Sequence, residues 1–347
     1  MNSARLLPVI AVVVLLATGC TDRPERKNTD GQAATDPFEI NSHLFPGINL
    51  GNALEAPDEG DWGVTIQDDY MRIIKEAGFN HVRIPVRWSA HTEAESPWTV
   101  DVRFMSRVKQ VVNAALEQSL YTVINIHHYE ELFQNPSAQR DRFLALWQQI
   151  ATLFQDYPAA LLFEILNEPH DNLTPVLWNQ YFQAALEIIR QTNPNRTMLI
   201  GTANWGGLGT LDQLALPDAE SNIIITVHYY EPFTFTHQGA EWVAGSDAWL
   251  GTTWSASPNQ VSAMRSHFDQ LRVWAETHNR PIHIGEFGVY RRADMASRHR
   301  WTRAIVSLCK EYQFSWAYWE FCAGFGAYDQ ATGAWNEQLL EALIQKP

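Results

Sequence analysis

Two glutamates sit where short apolar runs end, positions from which a carboxylate can reach a substrate. Glu168 closes the run Phe163-Glu-Ile-Leu-Asn-Glu-Pro169, and Glu286 lies within Ile284-Gly-Glu-Phe-Gly288. A facing pair of carboxyl groups is what hydrolysis of a glycosidic bond requires, one protonating the leaving oxygen while the other attacks the anomeric carbon. Equivalent positions after other apolar runs carry Asn52 and Glu55, Arg83, His127 and His128, Asn167, His228 and Tyr230, and Trp319 and Glu320. Arg83 is the only cation among them apart from the histidines, and a cation beside a carboxylate favours its ionised form.

These residues can meet only if the apolar runs are strands that end at one place. From Leu44 onward the chain repeats a short apolar run, a polar loop and a longer amphipathic stretch. The runs at residues 47–50, 80–85, 121–127, 161–165, 197–201, 222–228, 282–286 and 315–319 read as strands. Helical patterns fall at residues 68–77, 102–118, 140–154, 175–191, 258–278, 297–312 and 336–344, and only a short element fits residues 208–214 after the fifth strand. Thr174-Pro175 and Ser257-Pro258 are helix starts, a capping side chain followed by proline at the first helical position. Eight strands in βα alternation predict a single-domain α/β protein, a (β/α)8 TIM barrel, in which residues at the C-terminal strand ends surround one site. An open doubly wound sheet is disfavoured, because Gly47-Ile-Asn-Leu-Gly51 lacks the third glycine of a phosphate turn and leads into Asn52 rather than a helix.

The runs Leu166-Asn-Glu-Pro169 and Gly285-Glu-Phe287, with the strand-end residues in matching order, resemble glycoside hydrolase family five, in the clan of retaining (β/α)8 enzymes. The resemblance extends from Leu44 to the C-terminus. Gly47-Ile-Asn-Leu-Gly-Asn-Ala-Leu-Glu55 and the stretch from His228 to Trp242 are similar to its bacterial endoglucanase branch, some members of which also cut β-mannan. The resemblance implies Glu168 as general acid/base and Glu286 as nucleophile. Glu286 is then expected ionised beside Arg83, with Tyr230 donating a second hydrogen bond. Glu168 is expected protonated, in less cationic and more desolvated surroundings, tuned by His228. Asn167 suits the sugar 2-hydroxyl, and Trp319 a platform at the cleavage point, with Trp242 as a second. Asn52, Glu55 and Glu320 are expected on sugar hydroxyls. His127 and His128, adjacent on a strand, would face opposite sides, yet both are placed at the substrate because the strand becomes loop there. The implied activity is a retaining endo-β-1,4-glucanase acting on cellulose or mixed-linkage glucan by double displacement. An endo-β-1,4-mannanase or dual enzyme is the alternative, and a non-catalytic surface glycan-binding protein the alternative of a different class. No metal or other cofactor is expected, since the first strand lacks the His-x-His of amidohydrolase barrels and no helical His pair four apart encloses a glutamate.

Composition agrees with a large acidic globule. The chain has 347 residues, 46% of them hydrophobic, and a net charge of −14 from 25 Lys+Arg against 39 Asp+Glu. That balance argues against a nucleic-acid partner and permits a monomer. Fourteen tryptophans are enough for both core and binding surface, and Trp147, Trp274 and Trp301, at helical positions, are assigned to the core. Arg5 followed by the apolar residues 6–17 reads as a signal segment too short to span a bilayer. Ala17-Thr-Gly-Cys20 resembles a bacterial lipoprotein signal, with Cys20 the lipidated residue. The expected organisation is a signal peptide at 1–19, a flexible tether at 20–37 and a catalytic domain at 38–347. The protein is expected to be exported, anchored by lipid at the outer membrane or cell surface, or else secreted or periplasmic, with membrane contact only through that lipid. Cys309 and Cys322 should lie too far apart along helix and strand to pair, and are expected to be free thiols.

Overall fold

The computed structural model describes Met1 and residues 36–345, so the signal segment, Cys20 and the tether up to residue 35 lie outside the described residues. Eight parallel strands close into a barrel in sequence order: β1 Gly47–Asn49, β2 His81–Ile84, β3 Tyr121–Asn125, β4 Leu161–Glu164, β5 Met198–Gly201, β6 Ile223–His228, β7 Ile282–Phe287 and β8 Ser315–Tyr318. Around them run α1 Pro37–His43, α2 Tyr70–Glu76, α3 Val102–Glu117, α4 Glu130–Gln134, α5 Pro136–Leu153, α6 Pro175–Thr192, α7 Phe233–Thr236, α8 Pro258–His278, α9 Met295–Tyr312 and α10 Glu337–Leu343. The caps read from sequence hold: the Thr174 hydroxyl accepts from Leu177 N, and Ser257 with Gln260 forms a capping box.

Several boundaries differ from the sequence reading. The third strand ends at Asn125 and the eighth at Tyr318. The amides beyond still bond sideways, His127 N to Val86 O and Trp319 N to Phe287 O (2.8 Å each), but the chain has left the pleat. Helix α5 starts at Pro136, not residue 140, because proline supplies the first-turn geometry and has no amide to leave unpaired. At the N-terminus, Pro37 belongs to a helix rather than to the tether, with Asp36 capping it. Helix α1 then seals the barrel base. Ile40 and Leu44 pack with Val123, Leu162, Leu199 and Ile224 inside the barrel, and Asn41 accepts from the Ser315 hydroxyl at 2.6 Å. The chain therefore enters the barrel at the end opposite its strand C-termini. Cys309 and Cys322 are both buried and unpaired.

Four of the buried tryptophans do more than fill volume. Their indole N–H groups donate to carbonyls at the upper strand ends: Trp88 to Asn125 (2.9 Å), Trp147 to Ile165 (3.0 Å), Trp178 to Gly201 (2.8 Å) and Trp301 to Glu231 (3.0 Å). A strand carbonyl there has no further strand partner, and burial without a donor is costly. Each tryptophan thus ties an outer element to the place where a strand turns into a loop.

Trp147→Phe tests this device, since phenylalanine retains most of the packing but leaves the Ile165 carbonyl without its donor. We expect a loss of about 1–3 kcal/mol in denaturant unfolding. Unchanged stability would show that the bond contributes nothing.

Candidate active site

Arg83, on β2, points into the barrel and is wholly buried. A guanidinium carries five N–H donors and no acceptor, so burial demands five partners. All five are present. Nε donates to Glu164 Oε2 (2.5 Å) and Nη2 to Glu164 Oε1 (2.9 Å). Nη2 also donates to Asn167 Oδ1 (2.7 Å), and Nη1 donates to Asn49 Oδ1 (2.9 Å) and Glu286 Oε1 (2.7 Å). Glu164 and Asn49 were not singled out from sequence. A signal was available for Glu164, since a charge inside the apolar run Leu161-Leu-Phe-Glu-Ile165 faces the interior and must find a counter-charge there.

The two candidate carboxylates face each other above this network. Tyr230 donates to Glu286 Oε2 at 2.9 Å, so each oxygen of Glu286 accepts one bond and keeps a free lone pair. The His228 imidazole donates from Nδ1 to Glu168 Oε1 at 2.6 Å and lies 3.6 Å from Glu286 Oε2. One donor atom from each of Glu168, His228 and Glu286 falls within 4.8 Å of the others. That closeness fits the nearer pair of carboxyls in a retaining site rather than the roughly 6.5–9.5 Å separation with which an inverting site seats its water.

The electrostatics correct one expectation. Burial works to raise the Glu168 carboxyl, but His228, with help from His128 and Arg83, overrides it and the net direction is down. Burial likewise works to lower His228, but Glu286 and Glu168 override it and the imidazole titrates above its usual range. For Glu286 burial wins: His228 and Arg83 pull it down, Glu168 repels it, and it lies above the usual carboxylate range. The sequence reading had placed the cationic surroundings on Glu286 and the proton on Glu168. Instead, Arg83 gives its two-pronged edge to Glu164, and His228 brings a cation to Glu168. Within the Glu168–His228 pair, the two opposite shifts draw the proton toward the imidazole.

Other residues line the opening. Asn167 is nearly buried, its oxygen held by Arg83, and its side-chain amide N–H groups make no hydrogen bond among the described residues. The His127 ring is buried, with Nδ1 accepting from Asn125 Nδ2 (3.1 Å), which leaves the proton on Nε2. Burial, then His128, Arg83 and His228, lower its pKa well below normal, so it is a neutral donor. The expected opposition of His127 and His128 does not arise. His128 has a left-handed φ of 47°, and the two rings meet edge to face at 4.5 Å. Trp319 lies parallel to His127 at 6.0 Å, and a Cβ on Gly51 would come within 2.9 Å of its ring. Asn52 sits half-buried at the first strand end with a left-handed φ of 63°. Trp242, 61% exposed, stands on Tyr290 and Phe325, against which Tyr230 and Trp319 also pack.

Glu55 and Glu320 correct the expected sugar contacts. Both have no exposure. Glu55 accepts from the amides of Asn52 and Ala53, and Glu320 from those of Cys322 (3.0 Å), Ala323 (2.7 Å) and Phe325 (2.9 Å). They hold the loops that carry Asn52 and Trp319, and their oxygens are already committed to backbone. The sequence reading also missed two exposed aromatics. Trp62, 40% exposed, meets His128 edge-on at 5.3 Å. Trp205, 54% exposed, stacks on His170 at 3.5 Å, and the His170 imidazole donates to the Glu168 carbonyl at 2.6 Å. Asn204, Trp205 and Gly206 are successive left-handed residues, a strained run that presents the indole outward. Single tryptophans in loops carry no periodicity that would separate them from core.

A family model described as Cellulase (glycosyl hydrolase family 5) matches residues 34–324. Endoglucanase H of Acetivibrio thermocellus is 37% identical over 318 residues, which cover 90% of this chain. The chain spans 34% of the length of that relative, and the same share of Cellulase/esterase CelE of that organism. Among solved structures, Thermotoga maritima Cel5A in complex with mannotriose is 54% identical, with a TM-score of 0.88 over 89% of this chain and 100% of that one. A hyperthermophilic endo-beta-1,4-glucanase solved with substrate is 48% identical, with a TM-score of 0.88 over 90% of this chain and 100% of that one.

The buried loop carboxylates yield a pH prediction. Burial raises Glu55 to about 8 and Glu320 to about 7, against backbone hydrogen bonds that pull both down. A carboxyl whose folded pKa lies above its unfolded value binds more protons when folded. Its contribution is therefore full below the unfolded pKa and is lost as pH rises through the folded one. Denaturant midpoints should fall between pH 6 and pH 9, and Glu55→Gln, which cannot titrate, should flatten that slope. An equal slope in the variant would exclude Glu55 as its source.

Proposed function

We infer the activity from one premise: this chain belongs to glycosyl hydrolase family 5, the cellulase family. The reading is a retaining endo-β-1,4-glucanase that acts on cellulose or mixed-linkage glucan. The observation that carries it is Glu286 held by Arg83 and Tyr230, with Glu168 opposite it inside the same 4.8 Å cluster. Glu168, taking its proton from the pair it forms with His228, protonates the glycosidic oxygen as the bond from that oxygen to C1 breaks. A Glu286 oxygen forms the new bond to C1, giving a covalent glycosyl-enzyme. In the second step the Glu168 carboxylate takes a proton from water. The water oxygen bonds to C1 and the Glu286 ester bond breaks, so both carboxyls return to their starting state with the configuration at C1 retained.

The surrounding groups take supporting roles in this reading. The Asn167 amide meets the 2-hydroxyl, where a hydrogen bond strengthens as the transition state forms. Trp319 lies beneath the sugar at the cleavage point, and His127 offers Nε2–H to a hydroxyl. Asn52 and His128 line the opening. Trp242, Trp62 and Trp205 provide apolar faces toward the ends of the cleft. Export, lipidation of Cys20 and attachment at the outer membrane or cell surface belong to the same proposal. Entry of the chain at the base of the barrel supports it, because the cleft opens at the opposite end.

The test is product analysis on carboxymethylcellulose, β-mannan and xylan, with wild type and Glu286→Gln assayed in parallel. We expect rapid viscosity loss on the glucan, with first products of retained configuration, and a loss on the order of 10⁴-fold in the variant. Cleavage of mannan alone would keep the mechanism and overturn the substrate. A folded wild type with no turnover on any of the three would favour a glycan-binding protein.

A further inference from the structure

Glu164 is buried at 1% exposure in the middle of the catalytic machinery, with both oxygens directed down onto Arg83 and away from the cleft. The guanidinium presents its Nε–Nη2 edge to Glu164, the two-pronged geometry in which arginine binds a carboxylate most strongly. Glu286 receives a single N–H from Nη1. Its other neighbours are Tyr230, at 2.9 Å, and His228, at 3.6 Å, with Glu168 beyond. One positive charge therefore serves two carboxylates, and the larger share goes to the one that meets no substrate.

We propose that Glu164 is a positioning residue that keeps Glu286 basic enough to attack, by withholding part of the Arg83 charge from it. The proposal rests on Glu286 being the nucleophile. Double displacement asks two opposed things of that carboxylate: to bond to C1 in the first step, and to leave C1 in the second. Undivided pairing with Arg83 would stabilise the free carboxylate, which weakens the attack and eases the departure. Without Arg83, a carboxyl so buried would hold its proton and not attack at all. Glu164 sets the balance between these limits. It also fixes the guanidinium plane, leaving the remaining Nη hydrogens on Asn167 and Asn49. Asn49 Nδ2 in turn donates to the carbonyls of Gly285 (3.0 Å), Ala317 (3.3 Å) and Tyr318 (3.2 Å), so the plane is tied to the strand that carries the nucleophile.

The experiment compares Glu164→Gln, Glu164→Asn and Glu164→Asp with wild type on an activated aryl β-cellobioside. In the neutral variants the acid limb of kcat/KM, which reports the free enzyme, moves down by about one pH unit. The first step, read by kcat/KM, falls about tenfold relative to the breakdown of the glycosyl-enzyme, because a weaker base attacks more slowly and leaves faster. Glu164→Asp keeps the charge and therefore keeps the limb where wild type has it. Glu164→Asn, which forces no amine against Arg83 Nε, carries the test if the Gln variant does not fold. A limb that stays put in a folded neutral variant, with both kinetic parameters falling together, overturns the proposal and leaves Glu164 a purely structural ion pair. Trapping with a 2-fluoro glycoside and mass mapping separates this failure from that of the underlying reading. Wild type labelled on Glu286 leaves the nucleophile in place and confines the failure to the role of Glu164, whereas label elsewhere or none removes the premise.

Discussion

The interaction on which the rest depends is a guanidinium with no access to water. Bare charge in a protein interior is among the costliest things a fold can contain, and the cost is offset only when every donor is met in good geometry. Arg83, itself on β2, meets that condition by drawing on other strands and strand ends: β1 through Asn49, β4 through Glu164 and Asn167, and β7 through Glu286. The polar upper layer of the barrel is thereby cross-linked through one side chain. Loss of any partner leaves a buried charge short of a bond, so Glu286 is held by the same network that makes the layer stable.

Two further devices fix the loops on this layer. Indole N–H groups from the surrounding elements cap carbonyls where strands end, and Glu55 and Glu320 gather backbone amides just beyond β1 and β8. Both solve one problem: a strand that stops in a buried place leaves peptide groups unpaired. Half of the fourteen tryptophans fall into two groups. Trp88, Trp147, Trp178 and Trp301 are buried and bonded, whereas Trp62, Trp205 and Trp242 are exposed at the rim.

How much of this the sequence disclosed follows from what each feature depends on. The eight strands and the main helices were legible because burial imposes a period, and Glu168, Glu286, Arg83 and His228 because they stand where that period breaks. Glu55 and Glu320 stood at such breaks too, yet they turn inward, because orientation is decided by which backbone amides a loop leaves free. Glu164 was hidden inside an apolar run, and Asn49 likewise. The left-handed turn at His128 and the run of three at Asn204–Gly206 depend on tertiary bonds such as His228 N to Gly206 O. The identity of the group that carries the proton could not be read from residue types, because it depends on which carboxylate His228 approaches and on how Arg83 is divided.

That division also sets the charge the site presents. With Glu286 ionised, as attack on C1 requires, Arg83 cancels one of the two carboxylates it binds, and a charged Glu168–His228 pair is neutral as a unit. One negative charge is then left over in a layer where dielectric screening is weak, beside the place the proposed reaction gives the anomeric carbon. The transition state of glycoside cleavage develops positive charge at that carbon, so the surplus is attractive at the place and moment it is needed. Without Glu164 the same residues would sum to zero. In the proposed reaction, a buried carboxylate that never meets the sugar therefore contributes to the energetics of catalysis as well as to those of the fold.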